Sequence, residues 1–166
     1  MQLMYQLAIT AAERSIDLSS AYFVPDELTS KALTEALRRG VKIRIITPGE
    51  IIDTDTVRAA SRGTWGPLLK AGAEIYEYQP SMYHCKVMIV DKLLVSVGST
   101  NFDNRSFRLN DEANLNVFDT AFAEKQTNIF EEDLKRARQV TYETWANRPL
   151  KEKLMERLAT LLESQL

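Results

Sequence analysis

The stretch from His84 to Ser99 constrains this chain most. Over His84–Val90 the residues alternate, so that His84, Lys86, Met88 and Val90 share one face of a strand and Cys85, Val87 and Ile89 the other. Asp91-Lys92 reads as a two-residue turn, and Leu93–Ser99 as the returning strand of a hairpin. In that register Val90 faces Leu93, Lys86 faces Val97 and His84 faces Ser99, and cross-strand partners point to the same side. One face is then a stripe of Val, Leu, Met, Val and Val that ends in His84, Lys86 and Ser99, with Asn101 just beyond. An apolar stripe ending in an imidazole, an ammonium, a hydroxyl and an amide marks a site at the edge of a core. His84 is the only histidine among 166 residues.

The rest of the chain supplies alternating elements around that hairpin. Leu3, Met4, Leu7, Ala8, Ala11 and Ala12 recur with helical spacing, which predicts an amphipathic helix over residues 1–14 that opens without a cap, as a segment of a longer chain does. Ser15–Ser19 reads as a strand, and Pro25-Asp26 opens a helix whose inner stripe is Leu28, Ala32, Leu33, Ala36 and Leu37, stopped by Gly40. Val41, Ile43 and Ile45 form a strand ending near Pro48-Gly49; Asp53–Ser61 and Trp65–Ala71 read as two helices, the second stopped by Gly72. Ala73–Tyr78 is a strand. Beyond the hairpin, Ala113, Leu115 and Val117 alternate with Glu112, Asn114 and Asn116 in another strand. Asp119 caps a long helix with Phe122, Ile129, Phe130, Leu134 and Ala137 inward, and a helical tail runs from about 141 to 166 with a break near Pro149. The order β-α-β-α-β-β-β-α implies α/β layers around a mixed sheet, one domain over residues 1–166.

His84-x-Lys86-x4-Asp91 followed by Gly98-Ser99-x-Asn101-Phe102-Asp103 resembles the HKD signature of the phospholipase D superfamily. Within it the chain is most similar to the C-terminal half of bacterial cardiolipin synthases, a similarity shared by Ala21-Tyr22-Phe23-Val24-Pro25-Asp26 and Asn104-Arg105-Ser106-Phe107. The resemblance implies an α/β/α fold, a phospholipase D-like mixed sheet flanked by helices on both faces. It implies a phosphatidyltransferase or phosphodiesterase that acts on phospholipid through a phosphohistidine, without cofactor or metal. Neutral imidazole can attack phosphorus directly and split the transfer into two steps. A metal site is further disfavoured because Cys85 falls on the face opposite His84 and no second histidine exists.

On this resemblance Lys86 and Asn101 stabilise the phosphate oxygens beside His84. Ser99 is either a site hydroxyl or a hairpin hydrogen-bonding group, and Tyr22 and Tyr83 either line a pocket or pack. Asp91 has the wrong parity to face His84 and reads as a turn residue; with Gly98 and Asp103 it belongs to the structural part of the motif. The carboxylate that orients His84 is expected to be Glu112, with Asp111 on the opposite parity.

The family carries two such motifs and this chain carries one, so the expected partner is a missing N-terminal half or a second copy. A net charge of −2 and a pI near 5.6 disfavour long nucleic acid held by charge. The competing readings are a homodimeric single-motif phosphodiesterase or nuclease, and a catalytically silent assembly or membrane-docking domain. No stretch is long and apolar enough to span a bilayer, so the chain reads as soluble, while the resemblance implies a full-length parent at the bacterial inner membrane. The tail leucines Leu150, Leu154, Leu158, Leu161 and Leu162, with Lys151, Lys153 and Arg157 beside them, read either as docking on protein or as peripheral membrane contact.

Overall fold

A single mixed sheet of seven strands organises the protein in a computed structural model that describes residues 1–160. The strands are β1 (Ser15–Ser20), β2 (Lys42–Pro48), β3 (Glu74–Tyr78), β4 (Lys86–Val90), β5 (Leu94–Gly98), β6 (Asn114–Phe118) and β7 (Ala137–Val140). Across the sheet they run β6-β5-β4-β1-β2-β3-β7. The central β1, β2 and β3 are parallel, and β4, β5, β6 and β7 each pair antiparallel with their neighbours. The helices are α1 (Gln2–Ala11), α2 (Glu27–Arg38), α3 (Asp55–Ala71), α4 (Asn104–Arg108), α5 (Thr120–Leu134), α6 (Tyr142–Ala146) and α7 (Leu150–Thr160).

Strand alternation divides the core into two layers. Ile16, Leu18, Ile43, Ile45, Ile75, Met88 and Leu94 pack beneath α1, α2 and α3, while Ile46, Tyr76, Tyr78, Ile89 and Val95 pack beneath α5. The α/β/α arrangement implied by the sequence is therefore the one observed. Its caps are also the ones expected: Asp26 accepts from the Thr29 N–H at 2.8 Å and Asp119 from the Phe122 N–H at 2.7 Å. Gly40 (φ +93°) and Gly72 (φ +102°) turn the chain out of α2 and α3.

Several boundaries and faces differ from the sequence reading. In α1 the inward residues are Tyr5, Ala8, Ile9 and Ala12, whereas Leu3 and Leu7 are exposed. The helix is rotated so that the Tyr5 ring meets Phe102 at 4.5 Å and its hydroxyl accepts from Asn114 at 2.7 Å. In α2, Leu28 is exposed and Thr29 takes the buried position, where its hydroxyl accepts from Gln6 at 2.8 Å. The two helices expected over 53–71 are one, α3, despite Pro67. Trp65, Leu68 and Leu69 bury themselves on the sheet, and Gly66 admits Trp145, whose ring would lie 2.4 Å from a Cβ there. The short helix α4 was not foreseen. The helix expected to continue through Ala137 ends at Leu134 with Ile129 facing out, because Ala137–Val140 pairs with the edge of β3 as β7.

The hairpin register is shifted by one residue. Val90 pairs with Leu94 and Val87 with Val97, across a three-residue turn in which Asp91 (φ 53°) and Lys92 (φ 54°) are left-handed. Asp91 explains the shift. Its carboxylate accepts the backbone N–H groups of Glu13, Arg14 and Ser15 at 2.8–2.9 Å, which ties the turn to the α1–β1 junction. A short carboxylate side chain tolerates left-handed backbone better than most. Burial works to raise the Asp91 pKa, but the three N–H donors and Arg14 outweigh it and hold the carboxyl below its ordinary 3.8.

Asp91→Ala is expected to cost about 1–3 kcal/mol, from bonds to a charged acceptor, and lower the melting temperature by roughly 3–10 °C. Because the folded-state pKa is depressed, this contribution is present above the ordinary carboxylate pKa and disappears as pH falls through the folded value. Thermal melts of both proteins should therefore draw together as pH falls below the ordinary carboxylate pKa; a constant gap would show that Asp91 acts by shape alone.

Candidate functional site

The site residues converge because strand ends of both directions meet at one end of the sheet. The C-terminal end of β1, the start of β4, the end of β5 and the start of β6 lie side by side there, at the carboxyl edge of the parallel strands. The β1–β4 register pairs Ser20 with Lys86, and the Ala21 N–H donates to Cys85 O at 2.9 Å, so the ladder continues one residue past β4. Tyr22 thereby comes against His84, with ring centroids 6.1 Å apart and nearly perpendicular. His84 is exposed at the rim, and Lys86, half-buried, follows on the same side of the strand.

The loop after β5 brings Asn101 to the same end. Phe102 pins this loop: it packs against Tyr5, Phe23 and Phe107, and its backbone bonds reciprocally with Tyr22 and Val24. Thr100 is fixed by Asn114 Oδ1, which accepts from its hydroxyl at 2.8 Å, while the Asn114 amide donates to Tyr5 and Ser96. Gly98 lets β5 and β6 approach, since a Cβ there would lie 2.1 Å from Ala113 O. Asp103 caps α4 by accepting from the Ser106 N–H at 2.7 Å.

Two polar atoms in this assembly are unsatisfied. Among the described residues neither Lys86 Nζ nor Asn101 Oδ1 has a hydrogen-bond partner, though both are shielded from solvent. An unpaired buried polar group costs on the order of 1–3 kcal/mol, so such a pair marks a place prepared for a ligand. The oxygen and nitrogen of an amide exchange by a half-turn, so Asn101 can offer a donor at the same point. Burial pushes the Lys86 pKa down, against the opposing pull of Cys85, Glu112, Asp103 and Asp53. Burial likewise pushes the Asp103 carboxyl up.

Glu112 stands just before β6 and accepts from the Ser106 hydroxyl at 3.0 Å and from the Asn110 amide at 3.4 Å. Burial opposes its ionisation, but the Ser99, Ser106 and Asn110 donors and the charge of Lys86 prevail, and its pKa is lowered. Among the described residues no hydrogen bond or ion pair joins Glu112 to His84. The one-residue register shift also takes Ser99 off the face of His84. Its hydroxyl accepts from the Ala113 N–H at 3.1 Å, in the β5–β6 connection. Tyr83 turns to the α5 side, where it bonds Ser19 and Asp133 at 2.9 Å, and Cys85 packs on that side too. Tyr22 remains at the mouth, its hydroxyl donating to Asp53 at 2.6 Å. The sequence reading takes Asp53 only as the first residue of a helix, whereas it lies in the loop before α3, and it gives Ser106 no role; the signal that could have found Ser106 is its place three residues beyond Asp103, the spacing of a side-chain cap. Among the described residues no three His, Cys, Asp or Glu side chains stand together as a metal-binding group.

The pattern of the family "Cardiolipin synthase, PLD-like domain" matches residues 5–134. A cardiolipin synthase of Geobacillus sp. (strain WCH70) is 43% identical over 159 residues, 96% of this chain and 32% of that protein. The chain thus spans about a third of the length of the curated relatives it matches. Among solved structures, the phospholipase D family member Nuc from Salmonella typhimurium superposes with a TM-score of 0.74 at 22% identity, over 84% of this chain and 90% of that one. The phosphatidylserine synthase of Haemophilus influenzae Rd KW20 superposes with a TM-score of 0.78 at 14% identity, over 99% of this chain and 44% of that one. These two likenesses show the fold.

Burial, then the bond to Asp53 and its negative charge, push the Tyr22 phenol up to about 12. Its contribution to stability is therefore intact below the ordinary value of 10.0 and is lost as pH rises toward about 12. An alkaline absorbance titration of the wild type minus Tyr22→Phe should show one phenol ionising near 12. A difference curve centred at the ordinary value would mean that Asp53 does not hold it.

Proposed function

The chain belongs to the family of phospholipase D-like domains of cardiolipin synthases, and on that premise we propose that His84 is the nucleophile of a phosphatidyl transfer from one phospholipid to the hydroxyl of another. An imidazole nitrogen of His84 attacks phosphorus, a P–N bond forms, and the bond to the leaving oxygen breaks. The acceptor hydroxyl then gives its proton to the base left when the leaving oxygen was protonated and attacks the phosphohistidine, and the P–N bond breaks as the new ester forms. The reading is carried by one observation: among the described residues Lys86 Nζ and Asn101 Oδ1 are buried and unpartnered at the end of the sheet that carries the exposed imidazole. Such groups stabilise the charge that develops on the phosphoryl oxygens, and they need no rearrangement at the moment of reaction.

Glu112 acts in this reading as the carboxylate that sets the charge around Lys86 and orients His84 once substrate closes the site. Tyr22 forms the wall against the imidazole ring, and Ser99 holds the β5–β6 junction from which Asn101 projects. Asp91, Gly98 and Asp103 serve the fold.

Transfer also needs a proton delivered to the leaving oxygen from the side of phosphorus opposite the nucleophile. One imidazole cannot occupy both positions, and this chain has one histidine. The second must come from outside these 166 residues, either from another segment of a longer membrane-associated protein or from a second copy. The exposure of His84 supports this, since a second lobe has to cover it. In a two-copy enzyme the His84-Lys86-Asn101 clusters face each other across a two-fold axis. That arrangement is also the one in which the chain would serve as a homodimeric phosphodiesterase.

His84→Ala should abolish turnover of phosphatidylglycerol or of a soluble diester while leaving the melting temperature unchanged, because the side chain is exposed. Lys86→Met should lower turnover by roughly 10²–10³-fold and hold or raise the melting temperature, since it removes an unpaired buried ammonium. Turnover by the isolated chain should rise with the square of its concentration. Full activity in a strictly monomeric preparation would defeat the two-histidine argument.

A further inference from the structure

Helix α7 is amphipathic in the reverse of the usual sense. At about 100° per residue, Arg157, Leu150, Leu154, Leu158, Lys151 and Met155 follow one another over about 160° of its circumference. That arc faces solvent: Leu150 is 82% exposed, Leu154 60%, Met155 55% and Leu158 52%. The opposite side carries Glu152, Glu156 and Ala159. Glu156 is buried and held by Arg62 and Arg148, and Glu152 lies 3.5 Å from Arg62. Ala159 joins a small buried cluster with Val24, Val57 and Ala60. A surface helix ordinarily turns its leucines inward and its charges outward. Here the carboxylates are turned onto arginines, and the exposed arc keeps leucines flanked by cations.

We propose that this outer face of α7 seats on an anionic phospholipid surface. Leucines beside lysine and arginine are the composition of a helix lying in the membrane interface, with its apolar arc at the acyl boundary and its cations among the head groups. A second copy fits this face poorly. A two-fold contact would bring Lys151 and Arg157 against their own equivalents, and the carboxylates that could answer them are committed to Arg62 and Arg148. Position gives the contact a purpose. Tyr22 packs against the cluster that holds Ala159, and its ring stands on His84, so the end of α7 adjoins the mouth of the site. This deepens the phosphatidyl-transfer reading and rests on it for purpose, not for geometry.

The test is co-sedimentation of the whole chain with vesicles of phosphatidylcholine alone, or with about one-third phosphatidylglycerol. The chain should pellet with the anionic vesicles, less so as salt rises. Leu154→Ser combined with Leu158→Ser should reduce partitioning roughly tenfold or more without lowering the melting temperature, as should Lys151→Glu with Arg157→Glu on the anionic vesicles. A leucine variant that pellets like the wild type overturns the proposal. So does a wild type that ignores vesicles but forms dimers, by sedimentation equilibrium, that the leucine variant abolishes. Turnover of a soluble diester separates this from the catalytic reading. A chain that binds vesicles through α7 yet cleaves no diester keeps the docking face and loses the transfer.

Discussion

The antiparallel pairing of β1 with β4 decides where everything else in this protein ends. Three parallel strands would leave their carboxyl ends facing loops alone. A reversed strand laid against β1 brings the start of β4 to that same edge, and with it Lys86 beside Ser20 and His84 beside Tyr22. Once β4 is placed, β5 follows by a tight turn, and the longer β5–β6 connection, which contains α4, brings Asn101 at its start and Glu112 near its end back to the same edge. The chemistry is set by strand direction before any side chain is chosen. Asp91 secures the far end of that arrangement by gathering three N–H groups from the α1–β1 junction.

A second layer of polar interaction fixes the opposite flank. Glu77, fully buried on β3, receives Arg58 and Arg62 from α3 at 2.7 Å and Arg138 from β7 at 2.8 Å. Removing one partner from such a cluster leaves buried charge uncompensated, which is why these contacts specify position more than they add stability. Arg62 also reaches Glu152 and Glu156, so α7 is held to the sheet through the same guanidinium that neutralises Glu77. The tail is thus locked by ion pairs on its inner side, and its leucines remain outside. Leu161 and Leu162, which the sequence pattern groups with them, lie outside the described residues.

Much of this was legible in the residues, and the failures have physical causes. Caps and stops were readable because they are local: the Asp26 and Asp119 carboxylates accept N–H groups three residues on, and Gly40 and Gly72 turn their own backbone. The mixed sheet was readable from the alternation of Ile43, Ile45 and their neighbours. Helix faces were less so. In α1, Leu3 and Leu7 make as good a stripe as Tyr5 and Ile9, and only the meeting of Tyr5 with Phe102 and Asn114 decides between them. The hairpin register failed because a two-residue turn is the default, whereas the carboxylate of Asp91 is bound 76 to 78 residues away and stabilises a longer one. Within the site, His84, Lys86 and Asn101 stood out by spacing, and the structure brings them to one end of the sheet. Asp53 and Asn114 did not, because each acts through a partner distant in sequence. Strand β7 was hidden because Arg138 and Gln139 carry no strand signal; the open edge of β3 recruits them.

The two tryptophans divide between these regions, and that has an optical consequence. Trp65 is buried under the sheet, with the Arg62 guanidinium 5.6 Å from its ring. Trp145 sits in the glycine notch of α3, with Arg148 3.9 Å over its ring and its Nε1 donating to Arg62 O at 2.7 Å. Release of the C-terminal segment would carry Trp145 out of this notch into water, and a hydrated indole emits at longer wavelength than a packed one. The molecule therefore carries an intrinsic fluorescent gauge of how tightly its tail is docked.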